Sequence, residues 1–150
     1  MAETAVETQI VIIELSGAEY GIPAVMVKEI VRLVEITPVP ESPALVKGAI
    51  DYRGTVAVVI DLALRLGLKS TPYNLGTQII IVENEAGLTG LVVDRVADVL
   101  TIDETTVMHG RESSLPEEIA TGAYEDGERL VLLLDIDKVL SFKKGRVKKK

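Results

Sequence analysis

Short aliphatic runs, rich in valine and isoleucine and cut by glycine-containing turns, recur along the whole chain. Runs of this kind, bounded by Gly, Asn, Asp or Pro, predict β-strands. In the first half they fall at residues 9–15, 19–22, 33–38, 49–52 and 55–60, and in the second at 78–83, 89–93, 96–102, 120–124 and 129–135. The stretches SGAE (16–19), YRGT (52–55), NEAG (84–87) and YEDG (124–127) read as hairpin turns. Helical signals are few. Pro23 suits a first helical position and Val27, Ile30 and Val31 would share one face, so 23–31 is predicted helical. Residues 62–66, ended by Gly67, and residues 136–140 predict two shorter helices. Prolines at 38 and 40 keep 37–42 extended.

The strand pattern repeats. QIVIIELSGAEYGIPAVMVKEIV (9–31) aligns without a gap on QIIIVENEAGLTGLVVDRVADVL (78–100), placing Gly21 on Gly90 and Glu29 on Asp98. Farther on, GAIDYRGTVAVVID (48–61) matches GAYEDGERLVLLLD (122–135), with Asp61 on Asp135. The predicted helix at 23–31 falls opposite 92–100, which reads as strand, so the halves are expected to diverge there. Five strands per half predict a mostly β fold of two small five-stranded barrels from an internal duplication, sharing one aliphatic core. Closure into barrels removes free sheet edges. The expected domain covers 8–140, with a first barrel at about 16–76 and a second at 77–140. Strand 9–15 is a candidate to cross over, and 141–150 form a tail.

Composition sharpens this picture. At 150 residues and 47% hydrophobic, the chain suffices for one domain or two small subdomains sharing a core, built without tryptophan and with a single phenylalanine. The net charge of −7 hides an asymmetry. The last ten residues hold six of the sixteen basic residues and no acid, leaving ten basic against twenty-three acidic residues, or −13, over the first 140. So acidic a body repels a phosphate backbone, which argues against nucleic acid. No apolar run approaches the ~18–20 residues of a membrane span, so no membrane insertion is expected. The N-terminus is acidic and lacks the layout of a signal peptide. With no cysteine there is no disulfide framework, and a cytoplasmic location is the default.

A search for catalytic chemistry finds little. His109 is the only histidine and sits in a polar stretch without a second ligand type beside it. No phosphate-cradling glycine loop and no nucleophile motif is present. Asp135 with Asp137, and Asp94 with Asp98, are candidate carboxylate pairs, yet Asp61 and Asp135 occupy equivalent places before short helices, where N-capping accounts for both. No enzyme, metal or cofactor is expected. Apolar rows remain, Ala24, Val27, Ile30 and Val31 in one half and Val93, Val96 and Val99 in the other. A groove between two barrels, floored by such rows, suits an apolar helix. Arg53 is a lone cation before Gly54, and the second-half counterpart GAYEDG has no arginine before its glycine. The turn therefore does not need an arginine, and Arg53 reads as a contact for another protein.

The run GAEYGIPAVMVKEIVRLVEITPVPESPALVKGAIDYRGTVAVVIDLALRLG (17–67), followed by TQIIIVENEAGLTGLVVDRVADVL (77–100) and TGAYEDGERLVLLLDIDKVL (121–140), resembles the CheW family of bacterial chemotaxis coupling proteins. Asp51-Tyr52 departs from the family's usual Asn-Leu before Arg-Gly, and Ala57 from a commoner proline. The resemblance implies two SH3-like barrels and a non-catalytic adaptor that joins the histidine kinase CheA, through its regulatory domain, to the cytoplasmic hairpin tip of chemoreceptors. It assigns receptor contact to Ala24, Val27, Ile30, Gly48, Arg53, Val96 and Val99, and kinase contact to Glu29 and Val39. The alternatives are the same module in a non-flagellar chemosensory pathway, a small ligand-binding barrel, or an enzyme using the carboxylates.

Overall fold

A computed structural model describes residues 6–108 and 119–142. Ten strands lie among the described residues: β1 (Glu7–Leu15), β2 (Ala18–Pro23), β3 (Val27–Arg32), β4 (Val46–Tyr52), β5 (Thr55–Asp61), β6 (Gln78–Asn84), β7 (Gly87–Val93), β8 (Arg95–Asp103), β9 (Ala120–Asp126) and β10 (Arg129–Leu134). Two one-turn helices, α1 (Leu62–Arg65) and α2 (Ile136–Val139), follow β5 and β10. The strands make two five-stranded sheets, ordered β8-β1-β2-β10-β9 and β3-β6-β7-β5-β4. The repeat is therefore real in space, with β1–β5 and α1 equivalent to β6–β10 and α2.

The sheets do not follow the halves. Each takes its first hairpin from one half and its last three strands from the other. Thus β1 and β2 lie with β8–β10, while β6 and β7 lie with β3–β5. This differs from the expected division at 76/77, because the aliphatic pattern marks a strand as buried without naming its neighbour. The exchange creates two parallel pairings, β2 with β10 and β5 with β7. Each sheet closes on itself through one antiparallel bridge, Thr37 with Ala49 and Met108 with Ala123, each made by two reciprocal N–H to C=O bonds of 2.8–2.9 Å.

Three apolar clusters result. Ile10, Ile12, Ile102 and Val131 fill the first barrel, and Ile50, Ala57, Val59, Ile79, Ile81 and Val92 fill the second. Val11, Ile13, Leu15, Ile80, Val82 and the buried faces of both helices form a third cluster between the barrels. In β1 and β6 alternate side chains enter the barrel and the shared layer, so both faces are buried. This is why IVII and IIIV run without a polar break.

Two predicted elements are corrected. Residues 23–31 are not helical: a 3-10 turn at Ala24–Met26 runs straight into β3, where the second half passes from β7 to β8 through a single bend at Asp94. The helix-like spacing of Val27 and Ile30 comes from a β-bulge at Lys28, where the register steps from Val27↔Val82 to Glu29↔Ile81. An equivalent bulge lies at Ala97, between the pairs Ile12↔Asp98 and Ile13↔Val96. The predicted strand at 33–38 shrinks to the single bridge at Thr37, since Pro38 and Pro40 have no N–H to continue a ladder. The two short helices form at their expected positions, α1 ending at Leu66 before a left-handed Gly67 (φ 82°).

Candidate functional site

Residues opposite one another in an antiparallel pair share a sheet face. Val27 opposes Val82 and Ile30 opposes Ile80, so both point toward the layer between the barrels. On the other sheet Val96 opposes Ile13 and Val99 opposes Val11, with the same result. Both β3 and β8 are outermost strands, so the shared core reaches the surface along them. Ala24, Val27, Ile30 and Val96 are partly buried against that core, while Val99 is 50% exposed. Val25, on the 3-10 turn beside them, is 92% exposed. The seam is thus apolar, half covered and built from equivalent positions of the two halves.

A second patch lies at one end of the β3–β7 barrel. The β4–β5 hairpin turns through Arg53 and Gly54, both at positive φ (51° and 86°), as a two-residue type I′ loop requires. The Asp51 carboxylate accepts the Gly54 N–H at 2.8 Å, so the aspartate at this unusual position supports the turn. Arg53 Nη2 and the Tyr52 hydroxyl both donate to Glu29 Oε1 of β3, the former at 2.8 Å. The Arg53 guanidinium also lies 5.3 Å from the centre of the Tyr52 ring. The bond to Glu29, chiefly, raises the Tyr52 pKa above the ordinary tyrosine value. Glu29 and Arg53, assigned to different partners from the sequence, belong to one patch.

Arg53 is therefore not unpartnered within the chain, and the second half is not without its own arginine. Arg129, on β10, bonds Glu19 at 2.9 Å and Asp98 at 3.3 Å, and Asp98 is the equivalent of Glu29. Both halves tie the acid of their third strand to an arginine of their last hairpin. The difference is exposure: the Arg53 side chain is 73% exposed and that of Arg129 30%. Sequence reading missed Arg129 and Tyr52, although the match of Glu29 with Asp98 was a signal for both. Gly48 stands apart. It is buried, and a Cβ there would lie 2.1 Å from the Thr37 carbonyl oxygen, so its place belongs to the bridge that closes the barrel. Val39 is 41% exposed in the segment between β3 and β4.

Residues 9–144 match the family model of the CheW-like domain. The chain is 32% identical over 143 residues to a chemotaxis protein CheW of Klebsiella aerogenes, covering 94% of this chain and 86% of that one. This chain belongs to the CheW family. It is also 31% identical to chemotaxis protein CheW of Helicobacter pylori, over 84% of this chain and 77% of the relative. A crystal structure of the scaffolding protein TtCheW from Thermoanaerobacter tengcongensis superposes with a TM-score of 0.85 at 28% identity, covering 91% of this chain and 94% of that one. CheW proteins are non-catalytic scaffolds or adaptors of chemotaxis, and this chain is one of them.

Of the carboxylates weighed as catalytic candidates, Asp61, Asp94, Asp98 and Asp135 have structural partners in this CheW fold, while Asp137 stands exposed in the first turn of α2. Asp61 and Asp135 both cap their helices, accepting the N–H of Leu64 and Lys138. Asp61 also accepts the hydroxyls of Ser70 and Tyr73, each at 2.6 Å. Asp94 accepts the Ser16 N–H and the Thr71 hydroxyl, and Asp98 pairs with Arg129. Among the described residues no group of His, Cys, Asp and Glu side chains has metal-binding geometry, and His109 lies outside them. No helix among the described residues is long and apolar enough to cross a membrane.

Proposed function

We propose that this CheW protein couples chemoreceptors to a CheA-type histidine kinase in the cytoplasm, by occupying two surfaces at once and catalysing nothing itself. The observation that carries the reading is the seam. Val27 and Ile30 on β3 and Val96 and Val99 on β8 lie at equivalent places on the two outermost strands along the margin of the shared core, with Ala24 on the adjoining 3-10 turn. Such a margin fits the apolar stripe of a receptor helix, and burial of that stripe supplies the binding free energy. The exposed Arg53 fixes the helix's approach from the end of the β3–β7 barrel. Glu29 and Val39, on the same barrel, make the kinase contact. Because Glu29 holds Arg53, receptor engagement at Arg53 and kinase engagement at Glu29 act on one ion pair, a direct route for receptor state to bias the kinase.

Reconstitution tests this. A CheA-type kinase, a receptor cytoplasmic fragment and this protein are combined pairwise and together, with autophosphorylation as the readout. Kinase activity rising only in the ternary mixture is the expected result. Activity unchanged by saturating adaptor, or an adaptor that binds neither partner, overturns the proposal.

A further inference from the structure

In the β3–β7 barrel the chain leaves α1, loops back, and packs Tyr73 against an interior cluster that includes Val59, Ile79 and Val92. The counterparts of those three in the sister barrel, Leu133, Ile10 and Pro23, line a cavity of about 230 Å³. No described residue that follows α2 packs on the interior cluster there. The duplication names the residue that would. Asp61 caps α1 and Asp135 caps α2, and from these caps the halves run in step. Leu66 matches Leu140, Leu68 matches Phe142 and Lys69 matches Lys143, and both Leu68 and Phe142 pack on the shared core. Tyr73 stands five residues beyond Leu68. Five residues beyond Phe142 stands Val147, the one hydrophobic side chain of KKGRVKKK (143–150).

Charge points the same way. Glu104 lines the cavity and is exposed, and Glu7 and Asp103 are the next pair along the strands that supply Thr8 and Ile102 to the lining. The segment 143–150 carries six basic residues and no acid. The N-terminal residues are the rival occupant: counted through β6 and β1, Thr4 falls opposite Tyr73. Thr4 is polar, however, and Glu3 beside it would face the same acids, so charge selects the C-terminal segment.

We infer that residues 143–150 fold back over the mouth of this barrel and seat Val147 in the cavity, where its counterpart Tyr73 sits in the sister barrel. The cavity is wider than one valine. The aliphatic stems of Arg146 and Lys148 fill the remainder, with their charges held at the mouth beside Glu104. The basic segment is thus an internal plug, a role that does not depend on the adaptor reading.

The test attaches a nitroxide at Lys149→Cys, which places the sole cysteine in the chain, and follows the full ¹⁵N-labelled protein by two-dimensional NMR. The Ile10, Gly21 and Leu133 amide signals should be lost with the label oxidised and return when it is reduced. Those of Val56 and Leu88, which line a hollow of about 320 Å³ beside Phe142, should keep their intensity. Val147→Asp should restore the lost signals, because its carboxylate would be desolvated in the cavity. Val147→Leu should leave them lost. Thr8→Phe, which fills the cavity, should also restore them, and the two Val147 variants carry the test if Thr8→Phe does not fold. Signals that persist at Ile10, Gly21 and Leu133, loss at Val56 and Leu88 in their place, or loss that survives Val147→Asp overturns the inference. Loss seen when ¹⁵N chain without nitroxide is mixed with nitroxide-bearing chain without ¹⁵N would assign the segment to a second copy, and overturns it equally.

Discussion

Arg53 lies 2.8 Å from Glu29, bridging the tip of the β4–β5 hairpin to strand β3 at positions 24 residues apart. The bond is made from a costly backbone: at φ 51° a non-glycine residue gives up ~1–2 kcal/mol. An exposed ion pair returns only ~0–1 kcal/mol. The arginine is thus not justified by stability alone, which is why we assign it to partner contact. Arg53→Ala should keep the fold, with denaturant-derived stability within about 1 kcal/mol of wild type, while kinase activation by receptor collapses. Arg53→Gly should be about 1 kcal/mol more stable than Arg53→Ala and equally inactive. A loss beyond about 2 kcal/mol in Arg53→Ala would make the residue structural.

Val99 separates binding from folding along the seam. It is half exposed, unlike Val27 and Ile30, so Val99→Asp should shift stability by no more than about 0.5 kcal/mol. Affinity for a receptor fragment, measured by calorimetry, should fall at least tenfold, because a carboxylate would be desolvated under the docked helix. Unchanged affinity in the folded variant would place the receptor elsewhere.

Two glycines should respond very differently to alanine. A Cβ at Gly48 meets the Thr37 carbonyl oxygen at 2.1 Å with φ at 143°, so Gly48→Ala should cost about 2–4 kcal/mol by breaking the bridge that closes the barrel. A Cβ at Gly54 meets nothing within 4 Å, and only the left-handed φ of 86° is penalised, about 1 kcal/mol. Urea denaturation of both variants checks the ratio.

Tyr73 should impart an alkaline limit to stability. Burial first, and then the bond to Asp61, push its pKa well above the ordinary tyrosine value. The folded state therefore keeps a proton that the unfolded chain releases near pH ~10. Its contribution is complete below that pH and is lost as pH rises from there through the folded-state pKa. Tyr73→Phe should cost about 1–2 kcal/mol at neutral pH and flatten the decline in urea midpoint between pH 9 and 11. Tyr20 and Tyr52 are shifted upward too, so some decline remains.

The duplication, the strand count and the capping aspartates were legible because each rests on a local pattern. Turn glycines, alternating aliphatics and Asp before a short helix are short-range signals. Of the strand exchange the sequence raised only a crossover of 9–15; the rest was not legible, since β1 and β6 are apolar on both faces and would fit either sheet. The false helix at 23–31 arose because the Lys28 bulge moves Val27 and Ile30 onto one face at a spacing of three. The aligned strand at 92–100 contained the correction. At the site, the seam residues could be read as apolar rows, but the Glu29–Arg53 contact joins positions distant in sequence, and only the fold brings them together.

Strand exchange also orders biosynthesis. The sheet of β3–β7 comes from one continuous stretch and can close while the chain is still being made. The other cannot: Glu7 pairs with Asp103, and Glu19 with Val131. The β1–β2 hairpin, apolar on both faces of β1, is made before β8 and β10 and must wait for both before its neighbours exist. The aliphatic β1–β2 segment is thus where a nascent chain most needs chaperone cover, and a stalled or truncated product would expose it.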